Sequence, residues 1–265
     1  MFTEENSPHF DKLRYLDLFC GIGGFRHAIE SISNKYEIAT ECVFSSDIDP
    51  ECRKAYKHNF GEAPEGDITQ IDVSHIPNHD ILLAGFPCQP FSIVENRRGF
   101  EDTRGTLFFD IARILEAHMP KAFVLENVKL LKGHDQGRTI NKILSTLTKL
   151  GYHTEYRILN ALDFGLPQKR ERIWIVGLRD YSFISWPEGG IPMKPLSKVL
   201  DQKVDQKFYA SENIKNKRWS VMRPQKEPTI WHENKAGNIS AYPYSCALRA
   251  GASYNYLLVD SERNA

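Results

Sequence analysis

Residues 14–33, RYLDLFCGIGGFRHAIESIS, decide the fold. Residues 14–19 are a short apolar run that reads as a strand. Cys20-Gly21-Ile22-Gly23-Gly24 breaks it, and residues 25–33 read as a helix. The alternation then repeats. Residues 40–46 form a second strand candidate ending at Asp47-Ile48-Asp49-Pro50, and Pro50 suits the first turn of a helix over 51–59. Residues 78–86, 121–126 and 172–178 read as buried strands, with helical stretches at 106–118 and 138–150. Strands alternating with helices predict an α/β fold, a doubly wound and mostly parallel sheet covered on both faces. Ligands then belong at the carboxyl ends of the strands. The glycines, Asp47, Cys88 and Glu126 all fall at such ends.

Composition narrows the class. A chain of 265 residues suggests one large or two small domains, at roughly 150 residues each. With 41% hydrophobic and 26% charged residues it has the makings of a core, which excludes wholesale disorder and collagen-like repeats. No apolar run is long enough to cross a membrane as a helix, and the polar start MFTEENSPHFDK is unlike a secretion signal. The five cysteines are odd in number and widely spaced, which argues for a reducing cytoplasm and against a disulfide framework or a zinc site. Lys+Arg 34 balances Asp+Glu 34, so a nucleic-acid partner would have to be met by a local patch.

The character of the chain changes after about Leu178. Residues 181–240 are rich in Pro, Gly, Trp and scattered charge. Between Lys194 and Lys226 basic residues outnumber acidic ones, with Trp186, Trp219 and Trp231 within or flanking the stretch. Such a segment is either a nucleic-acid surface or a solvated, loop-rich face.

Several short stretches bear chemistry. Glycines between strand and helix let the backbone approach a ligand, but the loop is not a true G-x-G-x-x-G and no Gly-Lys-Ser/Thr follows. A nucleoside fits better than a phosphate, and Asp47 after the second strand suits a ribose diol. In GFPCQPFS, residues 85–92, two prolines bracket Cys88 and hold its thiol in place, so it reads as a nucleophile or as a structural thiol. Residues 93–106 are a polar loop, either a lid or a solvated surface. Glu126, after the strand AFVL, is a desolvated carboxylate or one side of an ordinary ion pair or cap. Arg170 and Arg172, two apart, would share a face on an extended segment and could hold an anion.

Taken in order, DLFCGIGGFR, SSDIDP, GDIT, GFPCQPFS, RGTLFFD, ENV and QKRERIWIVG resemble the DNA (cytosine-5)-methyltransferases, especially the small bacterial modification enzymes. The resemblance is dense over residues 14–180. It implies an S-adenosylmethionine-dependent catalytic domain over 1–180, Rossmann-like, and a small, irregular and incomplete target-recognition region over 181–265. Phe19, Gly21, Gly23, Gly24, Asp47, Ile48, Asp67, Ile68 and Pro87 would form the cofactor site. Phe19 would lie against the adenine, Asp47 would bind the ribose and Asp67 the adenine amino group. Cys88 would be the nucleophile, with Glu126, Arg170 and Arg172 holding the target base. Gln89, Ser92, Arg97 and Arg98 would meet the DNA substrate. No metal is implied.

The resemblance also implies partners. Double-stranded DNA is the expected substrate and a restriction endonuclease the functional companion, in a bacterial cytoplasm. Family members usually continue with Thr-Pro-Arg-Glu and Gln-Gly-Phe-Pro segments and a closing helix. Here the sequence stops at Ala265, soon after LRAGASYNYLLV. A second subunit supplying the remainder is therefore expected, with apolar surface near Leu16 and Leu18 left uncovered without it. The alternatives are an RNA cytosine-5 methyltransferase and an inactive DNA-binding remnant.

Overall fold

The computed structural model describes residues 12–87, 107–180, 183–201, 203–223, 225, 227–234, 236–247 and 256–259. In chain order the first elements are β1 (Leu13–Leu18), α1 (Gly24–Tyr36), β2 (Thr40–Ser46), α2 (Pro50–Phe60), β3 (Ile81–Ala84), α3 (Leu107–His118), β4 (Ala122–Val128), α4 (Arg138–Lys149) and β5 (His153–Asn160). They are followed by β6 (Gln168–Lys169), β7 (Glu171–Leu178), α5 (Glu212–Trp219), β8 (Thr229–Glu233), β9 (Ile239–Tyr242), β10 (Ser245–Cys246) and β11 (Tyr256–Val259). The chain divides into two compact units, residues 1–158 with 172–185, and residues 159–171 with 186–265. Among the described residues, no helix is long and apolar enough to cross a membrane.

The first unit is built on a six-stranded sheet in the order β2-β1-β3-β4-β7-β5. β1 pairs in parallel with β2 and β3, and β3 with β4, so the expected parallel, doubly wound sheet is present. Two features depart from expectation. β7 runs antiparallel to β4, and β5, which the sequence pattern did not mark, lies at the far edge. The third strand is also shorter than residues 78–86.

The two sheet faces are filled differently. Successive side chains of a strand point to opposite faces. Leu16 and Leu18 of β1 join Leu82, Phe123 and Leu125 under α3 and α4, which contribute Phe108, Ile111, Leu115, Ile143 and Leu147. Tyr15 and Asp17 point the other way, toward Tyr56, the one buried residue of α2. Leu16 and Leu18 are fully buried, which corrects the expectation that they would be uncovered. β1 lies between two strands, and its apolar side faces the layer of α3 and α4. The open surface is on α1 instead. None of its residues is buried, and along its apolar stripe Ile32 is 48% and Tyr36 60% exposed.

Local chemistry sets the helix starts. Asp49 caps α2 by accepting from the N–H groups of Glu51 and Cys52, with Pro50 beginning the helix and Gly61 closing it at φ 84°. α1 begins differently. Its cap residue is Gly23, at φ 94°, which has no side chain to offer.

The second unit, expected to be irregular, holds a three-stranded antiparallel sheet in the order β11-β8-β9. Trp231, Leu257 and Val259 form its small core, with Trp219 and Met222 packed against them. β6 and β10 form a separate parallel pair. The expected basic surface is thinner than its composition. Arg218 is buried beside Glu233, Lys217 pairs with Glu233, Lys207 with Asp205 and Lys215 with Glu212. Lys194, Lys198 and Lys203 are exposed.

Candidate active site

The carboxyl ends of β1, β2 and β3 are laced together by the backbone. The Cys20 N–H donates to the Ser46 carbonyl at 3.1 Å, and the Gly85 N–H to the Leu18 carbonyl at 3.3 Å. Phe19 sits at this edge, half-buried, with φ at 53°, a left-handed conformation that only the surrounding structure imposes on a phenylalanine. Gly21 and Gly23 also have positive φ. A Cβ on Gly23 would lie 2.0 Å from the Phe60 ring, so the glycine is where that ring sits. Nothing lies within 4 Å of a Cβ on Gly21 or Gly24.

Asp47 ties the glycine turn to β2. Its Oδ2 accepts from the Gly21 N–H at 2.7 Å and its Oδ1 from the Asp49 N–H at 2.9 Å. A carboxylate offers about four lone-pair directions, so two remain for a vicinal diol. Asp67 follows a segment held to the end of β2, where the Glu65 N–H donates to Ser45 and the Asp47 N–H to Glu65. Its Oδ1 accepts from Thr69. Ile48 is 72% exposed, as an apolar wall facing a ligand would be, whereas Ile68 is buried in the main core. Pro87 is exposed at the end of the chain leaving β3. Acceptor carboxylates beside exposed apolar groups fit a nucleoside better than a phosphate or a metal.

Glu126 lies inside β4, not after it, because the strand continues to Val128. Its Oε1 meets the Arg172 Nε at 2.7 Å. The antiparallel course of β7 makes this contact. Val128 is opposite Arg172, so Glu126 is its diagonal neighbour on the same face. The start of β7 therefore falls at the carboxyl edge of the parallel strands. The Glu126 Oε2 is 3.8 Å from where a Cβ on Gly85 would be, beside the segment that leads to Cys88. Phe25 of α1 meets Trp174 of β7 edge-on at 5.8 Å, closing this side of the edge.

Arg170 belongs to the second unit. It precedes β7, is exposed, and its backbone N–H and carbonyl are bonded to Asn160 and Ala161. Cys88, Gln89, Ser92, Arg97 and Arg98 lie outside the described residues.

Two residues near the edge were not singled out from the sequence. Asn127 is buried, donates from Nδ2 to the Phe86 carbonyl at 2.9 Å and so pins the chain approaching Cys88. Asp17 is wholly buried beneath the glycine turn, and burial pushes its carboxyl up to about 7, against the Tyr56 hydroxyl and Arg26, which favour the charged form. The signal for Asp17 was there: one acid in the apolar run YLDLF.

The family described as C-5 cytosine-specific DNA methylase matches residues 13–255. The type II methyltransferase M.NgoBI of Neisseria gonorrhoeae is 55% identical over 251 residues, which are 94% of this chain and 77% of that one. M.HaeII of Haemophilus aegyptius is 52% identical over the same shares. Among solved structures, a DNMT2 of Spodoptera frugiperda has a TM-score of 0.64 at 23% identity, over 80% of this chain and 66% of that one. S. pombe Dnmt2 methyltransferase has a TM-score of 0.64 at 21% identity, over 92% and 73%. These two likenesses concern the fold alone.

Proposed function

From the premise that the chain belongs to the C-5 cytosine-specific DNA methylase family, we propose that it methylates C5 of cytosine at a specific duplex DNA sequence, as the modification partner of a restriction endonuclease. The observation that best supports this reading is the Glu126–Arg172 pair beside Gly85, at the strand edge that leads to Cys88.

The cofactor in this reading is S-adenosylmethionine, which supplies an electrophilic sulfonium methyl. Asp47 would hold its ribose hydroxyls, Asp67 its adenine amino group, and Phe19 and Ile48 the flanks of its ring, with the glycine turn and Pro87 alongside. C5 of cytosine is a weak nucleophile. The Cys88 thiolate would add at C6, which makes the ring an enamine whose C5 is reactive. Glu126, oriented by Arg172, would face N3 and N4 of the ring and offset the charge that develops there. Loss of the C5 proton to a base then lets the Cys88 sulfur leave. Arg170, Gln89, Ser92, Arg97 and Arg98 would hold the target nucleotide, which must leave the duplex stack at a cost of about a few kcal/mol. In domain terms, residues 1–180 would do the chemistry and 181–265 would meet the DNA.

A second segment completes the enzyme in this proposal. The chain spans 77% of M.NgoBI and M.HaeII. The exposed Ile32 and Tyr36 of α1 are the surface such a segment would cover.

Duplex DNA carrying 5-fluorocytosine at the target tests the chemistry. C5 then has no proton to lose, so the adduct should persist on the protein and be absent from Cys88→Ser. A wild-type protein, supplied with the co-expressed remainder, that methylates DNA without being trapped would refute the nucleophile. Methyl transfer to transfer RNA in preference to duplex DNA would refute the substrate. Normal turnover by the 265-residue chain alone would refute the second segment.

A further inference from the structure

The polar cluster between the sheet and α1–α2 has no part in the chemistry above. Asp17 is at its centre. The Tyr56 hydroxyl approaches Asp17 Oδ2 at 3.4 Å, and the backbone N–H of Arg26 favours the charged carboxylate. Oδ1 is buried with no hydrogen-bond partner. Arg26 is committed elsewhere: its guanidinium pairs with Glu30 at 2.8 Å and with Glu62, and covers the Tyr56 and Phe60 rings. Cys42 of β2 reaches the Tyr56 hydroxyl at 3.7 Å. The charges facing Asp17 are thus Arg26 from α1 and Asp47 beyond β2, with Tyr15, Tyr56, Cys20 and Cys42 as the other titratable neighbours. Its strand neighbours on either side are Ser45 and Leu83.

This placement supplies what Gly23 cannot. The first N–H groups of a helix have no partner within it, and a glycine cap has no side chain to accept from them. Arg26 is in the first turn of α1, and its backbone N–H favours the charge on a carboxylate from the neighbouring strand. Phe60 packs against Gly23 and Asp47 accepts from the Gly21 N–H, so the glycine loop is held at two further points.

We infer that Asp17 is a positioning residue: from beneath the glycine turn it anchors the first turn of α1, and the gain or loss of its proton sets how well the loop receives the nucleoside cofactor. This rests on the cofactor reading above. In the charged form both oxygens are acceptors, and Tyr56 and Arg26 hold the turn to the sheet. A proton on the unpartnered Oδ1 weakens both attractions and frees the turn. Burial places this change near neutral pH, where a small environmental change shifts the balance.

Calorimetry with S-adenosylmethionine on the chain co-expressed with its remainder tests the inference. If only the charged form binds, affinity falls about ten-fold between about pH 8 and about pH 6. Asp17→Asn should bind with a flat profile over that range. Tyr56→Phe, which removes a donor to the charged form, should move the midpoint upward. Wild-type binding with a flat profile, or an Asn variant that keeps the slope, overturns the inference and leaves the cofactor assignment standing. No binding at any pH overturns the cofactor assignment. Carbon-13 NMR of the Asp17 carboxyl, recorded without cofactor, is the independent measurement. A midpoint in the ordinary carboxylate range overturns the inference by itself.

Discussion

Replacing the glycines of the turn by alanine, one at a time, should give three different results from three neighbouring positions. Gly21 has φ 55° and nothing within 4 Å of where a Cβ would stand, so Gly21→Ala meets only the backbone cost of a left-handed alanine, about 1 kcal/mol. Gly23 has φ 94° and a Cβ would come within 2.0 and 2.7 Å of two Phe60 ring atoms. The backbone cost is then joined by overpacking, about 1–3 kcal/mol, for a total of roughly 2–4 kcal/mol. The ring cannot swing away freely, since it packs on Tyr56 at 4.7 Å and lies under Arg26. Gly24 has an ordinary φ, open space and the first position of α1, so Gly24→Ala should stabilise by up to about 1 kcal/mol. Urea unfolding followed by circular dichroism reads all three. With a slope of about 2 kcal/mol per molar, the Gly23→Ala midpoint should drop by about 1–2 M. Adding Phe60→Leu should recover much of the loss in Gly23→Ala and none in Gly21→Ala. Equal effects at positions 21 and 23, or no recovery in the double variant, would refute the steric reasoning.

Stability against pH should expose two buried groups of opposite sign. Asp17 has its carboxyl raised from 3.8 to about 7, so its contribution is full below 3.8 and lost as pH rises through about 7. His79, buried and lowered from 6.5 to about 4, contributes above 6.5 and loses that contribution as pH falls through about 4. Each is worth about 3–4 kcal/mol and the two largely cancel between them. Asp17→Asn should therefore leave stability rising with pH over that span, and His79→Leu should leave it falling; parallel curves for both variants and wild type would count against the burial argument. Arg172→Met removes the guanidinium from Glu126, whose side chain is only 18% exposed. It should cost about 1–3 kcal/mol in urea unfolding and reduce kcat far more than cofactor affinity, and a variant with normal turnover would detach the pair from catalysis. Lys194→Ala with Lys198→Ala should weaken binding to every DNA sequence alike and lower the salt slope by about 2, as measured by fluorescence anisotropy; an unchanged slope would move the phosphate contacts elsewhere.

The sequence made the outline of the first unit readable because its punctuation is local. Glycines after an apolar run, and Asp49-Pro50 before a helix, act within a few residues and need no tertiary partner. What it concealed depends on distant pairing. The direction of β7 has no local signature, yet it brings Arg172 to Glu126. β5 was missed because HTEYRILN is half-buried along most of its length and shows no clean alternation. Glu126 looked like a residue beyond a strand because its partner is far away in sequence. The acid at 17 was visible, but its neighbours Tyr56 and Arg26 come from two different helices. In the second unit, a sheet with a core of few residues leaves little periodicity to read.

The exposure of α1 has a consequence for local unfolding. A helix with no buried residue opens at a small fraction of the free energy needed to unfold the sheet, and its amide protons should be the least protected of any helix in the first unit. Its last turn adds strain, because Glu37 closes it at φ 55° without the freedom of a glycine. The glycine turn runs directly into its first residue, Gly24. A ligand bound at the start of the helix and a chain laid along its face would each suppress one and the same fluctuation. The two need not touch to be cooperative, since whichever arrives first lowers the entropy cost met by the other. Hydrogen exchange across residues 24–36 would report that exchange of help directly, as protection that either one confers in part and both confer in excess of their sum.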